Sequence, residues 1–349
     1  MKYRAPLDGL RALCVTSVFL FHGLYSRFGL FLGVDVFFVL SGYLITRILL
    51  EEVDRTGRVD FVNFYVRRAR RLLPAVFIML ALVFALWPRD GEAGSYWRVV
   101  PPVLLYYVNW LLAFKRGSLW GLGHFWSLSI EEQFYLLWPV TVALLAVRGR
   151  RRTGLVIVGL VLLFAGARAA LAGLAPPVGA LFDYHATFAR VDQLLIGALA
   201  ACVHTSRAGE RLAGVARRAV WPSIAFLVFC LARARMESRW LFLGGFSAVA
   251  VAGAFLIVHG STGEPSPLNR LLQRPLLVWV GKRSYGIYVY HLAFLEVLEP
   301  LRRSGSAVNF VLVTALRAAA TLSFAALSYR FVESRIIAPR AVAPVKQAA

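Results

Sequence analysis

Arg11 and His22 stand eleven positions apart in a single apolar stretch. On a helix that spacing is about 1100° of rotation and roughly 16 Å of rise, so the two side chains share nearly one face at two depths. Asp8 falls close to the same stripe. Inside a bilayer an ionisable group costs about 2.5–3.5 kcal/mol on insertion scales, so each is expected to face the protein interior and to have a task. An imidazole held there suits a general base. The plainer reading has Arg11 snorkelling to headgroups while His22 caps a buried polar network.

Asp35, in Gly33-Val34-Asp35-Val36-Phe37-Phe38, enters the next apolar stretch at a depth comparable to His22. A carboxylate there either orients the imidazole and stabilises its protonated form or pairs with a buried arginine, and the sequence leaves both open. Further on comes Phe64-Tyr65-Val66-Arg67-Arg68-Ala69-Arg70-Arg71-Leu72-Leu73-Pro74, richer in arginine than an ordinary helix end requires. Arg67 and Arg71 are spaced i, i+4, and guanidinium forks match phosphate oxygens, so this segment suits a nucleotide pyrophosphate or 3′-phosphate; the rival is an anchor on anionic lipid. Glu131 and Glu132 point about 100° apart on a helix, so only one of them, taken as Glu132, is expected to face His22.

His291 shares a helix face with Tyr285 and Tyr288 and is a secondary candidate for the same cavity. His185, His204 and His259 read as interface residues. Arg190 and Asp192 form either a structural pair or a donor contact. Cys14, Cys202 and Cys230 are scattered singly, without the spacing of a disulfide framework or metal site, and read as packing residues.

The elements that must position these groups follow from composition. Of 349 residues 59% are hydrophobic and 16% charged, more apolar surface than a soluble core absorbs. The expected fold is an all-α integral membrane protein of about ten helices, near 8–26, 30–49, 72–88, 125–147, 154–174, 188–204, 219–232, 240–259, 285–300 and 308–331. Residues 99–114 hold Pro101, Pro102 and Asn109 and are expected to dip in and return rather than cross. With both termini cytoplasmic, 23 basic residues lie inside and 10 outside, whereas a full crossing at 99–114 would leave 15 inside and 18 outside. The positive-inside rule selects the first arrangement. The formal charge of +21 is thereby a matter of topology and anionic membrane lipid, not of nucleic acid. Residues 1–349 read as a single membrane domain with a short tail at 338–349.

Taken together, these residues resemble the acyltransferase 3 family of membrane O-acyltransferases. The resemblance covers most of the chain. It rests on Leu7-Asp8-Gly9-Leu10-Arg11 followed by His22, Gly33 to Thr46, Arg67 to Pro74, His124 to Pro139, Phe188 to Gly197, Gly281 to His291 and Ser328 to Glu333. Two departures stand out: Ser334-Arg335 follows Glu333 where many members have a proline nearby, and the sequence as read carries no fused esterase-like domain.

The resemblance implies an acyl-CoA co-substrate, acetyl-CoA foremost, read from the cytoplasmic side, with no permanently bound cofactor and no metal. It implies His22 as the catalytic base, Arg11 as its partner arginine, and Arg67, Arg68 and Arg71 as the donor motif. Tyr285, on the helix face it shares with Tyr288, is expected to join the donor set. Whether the acyl group passes directly or through an acyl-histidine stays open. The expected acceptor is a hydroxyl of a sugar-containing molecule, either a small glycosylated metabolite such as a macrolide or a cell-surface polysaccharide. A homo-oligomer is compatible with this reading. The competing class is a transporter or flippase, which shares the helices and buried charges but gives the arginines and His22 no necessary chemistry.

Overall fold

The computed structural model describes residues 3–337 apart from 27, 88–94, 116–118, 147, 175–183 and 303–305; the tail expected at 338–349 lies outside the described residues. The elements are α1 (Ala5–Gly23), α2 (Gly33–Thr56), α3 (Phe61–Leu86), α4 (Val100–Leu104), α5 (Val108–Ala113), α6 (Phe125–Ala146), α7 (Arg150–Leu174), α8 (Val191–His204), α9 (Gly209–Arg233), α10 (Phe246–Thr262), α11 (Pro267–Leu272), α12 (Pro275–Lys282), α13 (Ser284–Val297), α14 (Ala307–Ser328) and α15 (Ser334–Ile337). Among the described residues there is no strand.

A helix lies over each of the ten apolar stretches, and six are long and apolar enough to cross a membrane: α2, α3, α7, α9, α10 and α14, with α2, α10 and α14 each extended by an adjoining helical turn. The other four, α1, α6, α8 and α13, carry most of the polar side chains described below or are only 14 residues long. Helix ends follow local chemistry. Pro6 sits in the first turn of α1, where a missing N–H does no harm. Gly57 closes α2 at φ 72°, a conformation that glycine adopts without strain. Asp60 caps α3 by accepting from Asn63 N at 2.9 Å.

The bundle is built around α2. In its most apolar window 78% of residues are buried, against 11% for α7 and 22% for α9 and α14, which present apolar side chains to the bilayer. α2 and α8 approach until their backbones touch: a Cβ on Gly42 would stand 1.9 Å from Leu194 O, and one on Gly197 2.0 Å from Val39 O. Small residues permit this close crossing, where dispersion rather than hydrophobic exclusion drives association. The same device joins α1 to the α11–α12 segment through Gly9 against Leu272 and Gly281 against Asp8.

Residues 99–114 form two short helices instead of one crossing, broken where Tyr106 takes φ 52°. Side chains secure the break. Asn109 Nδ2 donates to His185 O (3.1 Å) and Thr187 Oγ1 (3.0 Å), and Gln133 Nε2 donates to Tyr106 O (2.8 Å) and Asn109 Oδ1 (3.0 Å). Irregular backbone inside an apolar bundle needs such partners.

Candidate functional site

α1 and α13 carry site residues in the same order from one end of the bundle to the other, while α2 and α6 carry theirs in the opposite order, so the bundle has an arginine end and a histidine end. At the arginine end a cavity of about 270 Å³ is lined by Arg11, Arg68, Arg71, Glu131, Tyr135 and Tyr285 among others. Arg68 is the anchored member. Its Nη2 meets Glu132 Oε1 at 2.7 Å, and its guanidinium lies 3.8 Å from the centre of the Tyr135 ring. Arg11 is held by Asp8 at 3.1 Å, and Tyr3 donates to the same carboxylate at 2.8 Å. Among the described residues no carboxylate pairs with Arg71, which leaves its full fork for an anion in the cavity. Tyr285 donates to Leu72 O (3.1 Å) and so ties α13 to the arginine helix.

At the histidine end a second cavity of about 280 Å³ is lined by His22, His124, His185, Trp126, Tyr184 and Tyr288 among others. Its wall is aromatic with scattered polar atoms, a surface suited to a sugar ring. The two cavities share two lining residues, Val34 and Tyr288. Tyr288 is held there by hydrogen bonds with Ser127 Oγ (2.5 Å) and His124 O (2.9 Å). The two chambers therefore meet at Val34 and Tyr288.

Three imidazoles cluster at the second chamber, His22 and His124 in its lining and His291 against them. His22 Nδ1 lies 3.1 Å from Val18 O and 3.2 Å from His291 Nε2. His291 Nδ1 lies 2.6 Å from Tyr288 O, and His124 Nε2 lies 2.9 Å from Val289 O. His22 is half-buried in the last turn of α1, so its ring is the accessible one; His124 and His291 are 2% and 1% exposed.

Of the expected site residues, His22, Arg11, Arg68, Arg71 and Tyr285 line the two chambers, and three take other places. Asp35 does not orient His22: it is fully buried against Arg190 at 2.9 Å. Its neighbour Val34 faces both chambers, and a step of 100° turns Asp35 towards α8 instead. Glu132 does not face His22 either. It lies at the arginine end and holds Arg68, while Glu131, one position earlier, lines the cavity. Arg67 is exposed and lies outside the cavity, whereas Arg68, half-buried, and Arg71, itself exposed, line it.

Arg190 and Asp192 do not pair with each other. Asp192 binds Arg168 at 2.6 Å, both fully buried, and accepts from Ser247 Oγ at 2.6 Å. His204 meets Tyr43 OH at 2.7 Å and His259 meets Ser266 Oγ at 2.9 Å, both apart from the two chambers, whereas His185, expected at an interface, lines the second one. The three cysteines are buried and free. Sequence reasoning gave His124 no role, although an ionisable residue opening an apolar helix was the available signal.

A multi-pass helical membrane protein with a cationic chamber backed by a histidine chamber is the class that fold and site define. Sequence comparison narrows it. The profile described as "Acyltransferase domain" matches residues 4–330, and the chain belongs to that family, the acyltransferase 3 family. It is 32% identical over 319 residues to a predicted O-acetyltransferase of Staphylococcus aureus, covering 86% of this chain and 52% of that protein. Identity is 35% over 355 residues to a predicted peptidoglycan O-acetyltransferase of Bacillus subtilis, covering 93% and 54%. It is 33% over 320 residues to a peptidoglycan O-acetyltransferase of Listeria monocytogenes, covering 86% and 50%. The chain thus spans about half the length of these relatives. No solved structure matches it.

Proposed function

We propose that the protein is a membrane O-acetyltransferase that takes an acetyl group from acetyl-CoA at the arginine end and delivers it to a sugar hydroxyl in the histidine chamber. The observation that carries this reading is the abutment of the two chambers: an arginine-lined mouth, then a partition, then an imidazole. The coenzyme phosphates lie against Arg71 and Arg68, with Arg11 further in. The narrow pantetheine arm runs along the cavity, and the thioester meets His22 where Tyr288 and Val34 divide the chambers.

His22 then takes the acceptor proton as the hydroxyl oxygen attacks the thioester carbon, and the thiolate recovers that proton when the carbon–sulfur bond breaks. Direct transfer requires no acyl-enzyme. Ten spans with both ends in the cytoplasm put the arginine end on the side where acetyl-CoA is found, in keeping with the charge asymmetry.

The names of the relatives favour a cell-wall sugar as acceptor over a glycosylated metabolite such as a macrolide. The test is turnover of acetyl-labelled acetyl-CoA by protein purified in detergent, with peptidoglycan fragments and a glycosylated macrolide as parallel acceptors. Label should appear on a sugar hydroxyl without any sealed compartment. If detergent-solubilised protein transfers nothing while sealed vesicles accumulate substrate, the protein is a transporter and this reading is wrong.

A further inference from the structure

We propose that His291 is a positioning residue for His22, fixing both its orientation and its tautomer; the inference deepens the acetyl-transfer reading and rests on it. A backbone carbonyl only accepts. His291 Nδ1, 2.6 Å from Tyr288 O, therefore carries a hydrogen, and neutral His291 is left with its lone pair on Nε2. That lone pair lies 3.2 Å from His22 Nδ1. Because His22 Nδ1 also approaches Val18 O, at 3.1 Å, it too must bear a hydrogen, shared between the two acceptors. The lone pair of neutral His22 is thereby placed on Nε2, the nitrogen that a base in this chamber would use.

The partner is itself immobile. His291 is 1% exposed, its ring centre stands 4.9 Å from that of His124 and 5.6 Å from that of Tyr288, and its Nδ1–H is spent on its own helix. His124 does not compete for His291 Nε2, since its Nε2–H goes to Val289 O. Two imidazoles anchored to the α13 backbone thus stand behind the accessible one. A carboxylate would also accept from His22 Nδ1, but at this depth an unpaired anion is costly, and a neutral ring supplies the acceptor without charge.

During transfer the acceptor proton passes to His22 Nε2, the new carbon–oxygen bond forms, the carbon–sulfur bond breaks, and the thiolate takes the proton back. His291 gains and loses none. Its bond from His22 becomes charge-assisted while His22 is protonated, so the contact strengthens on approach to the transition state.

The experiment compares His291→Phe, which keeps an aromatic ring and removes the acceptor, with His291→Gln, whose amide oxygen restores one. In acetyl-CoA turnover His291→Phe should lower kcat about tenfold or more, a share of the roughly 10²–10⁴-fold that a positioned base supplies. KM for acetyl-CoA should stay within about twofold, since the donor chamber is untouched, and His291→Gln should recover most of kcat. In a His22→Ala background His291→Phe should cost nothing further, because residues acting as a unit are not additive. Wild-type kcat in folded His291→Phe, a loss confined to KM, a His291→Gln as impaired as His291→Phe at equal thermal stability, or a further loss in the His22→Ala background each overturns the proposal. Active wild type with inactive His22→Ala and fully active His291→Phe removes this inference alone; wild type without turnover removes the acetyl-transfer reading.

Discussion

At the residue scale the site is a division of labour among side chains of similar type. Replacing His22 by Ala should lower acetyl transfer about 10²–10⁴-fold, to a residual level, while leaving thermal unfolding in detergent within a few degrees of wild type; normal turnover in that variant removes it from the mechanism. Among the arginines the structure separates what the sequence could not. A hydrogen bond to a charged group is worth about 1.5–3 kcal/mol, so Arg71→Gln should weaken acetyl-CoA binding roughly 10- to 100-fold by calorimetry. Arg67→Gln, exposed and outside the cavity, should bind as wild type does. Equal effects of the two changes would mean that the coenzyme sits elsewhere on α3. The Arg11–His22 stripe was legible because helical periodicity within one segment survives any packing. Asp35, Glu132 and Arg67 were not: a single step of 100° decides which neighbour a side chain meets, and the neighbour comes from a distant part of the chain.

At the scale of elements, the centre of the bundle is held by contacts that tolerate little change. The α2–α8 crossing leaves no room for a methyl at Gly42 or Gly197. Gly197→Ala should therefore destabilise by about 1–3 kcal/mol through forced separation of the helices, read as a lowered midpoint of thermal unfolding. An unchanged midpoint would show that the backbones are further apart than described. The Arg190–Asp35 pair lies beside that crossing, with both side chains fully buried. Arg190→Met alone strands a buried carboxylate and should cost about 3–5 kcal/mol, whereas Arg190→Met with Asp35→Leu should recover most of it. Failure of the double variant to recover would give Asp35 a task beyond pairing. Both prolines and Asn109 of residues 99–114 announced an interruption, and two short helices are found there. The partners of Asn109 and of the broken backbone lie in α6 and in residues 185–187, which no local pattern reveals.

For the whole molecule, the membrane character and the all-helical fold were plain in composition and hydropathy, since the bilayer imposes both on a chain this apolar. The orientation expected from the distribution of basic residues is open to direct test. Cys14, Cys202 and Cys230 are buried, so a single introduced cysteine should dominate labelling. Arg58→Cys, exposed between α2 and α3, should react with an impermeant maleimide only from the cytoplasmic face. Ser306→Cys, exposed before α14, should react only from the opposite face. Labelling of both from one side would refute the ten-span arrangement, and exchange of the two faces would invert the donor side.

The partition at Val34 and Tyr288 has a physiological consequence. A protein that opens one mouth to each side of an energised bilayer risks short-circuiting the ion gradient; in the proposed orientation an aliphatic and an aromatic side chain stand between the two chambers. Under the proposed transfer, a two-carbon unit on a slender carrier would present itself at that barrier while hydrated ions would be refused, so acetyl groups would cross one at a time without a leak of current.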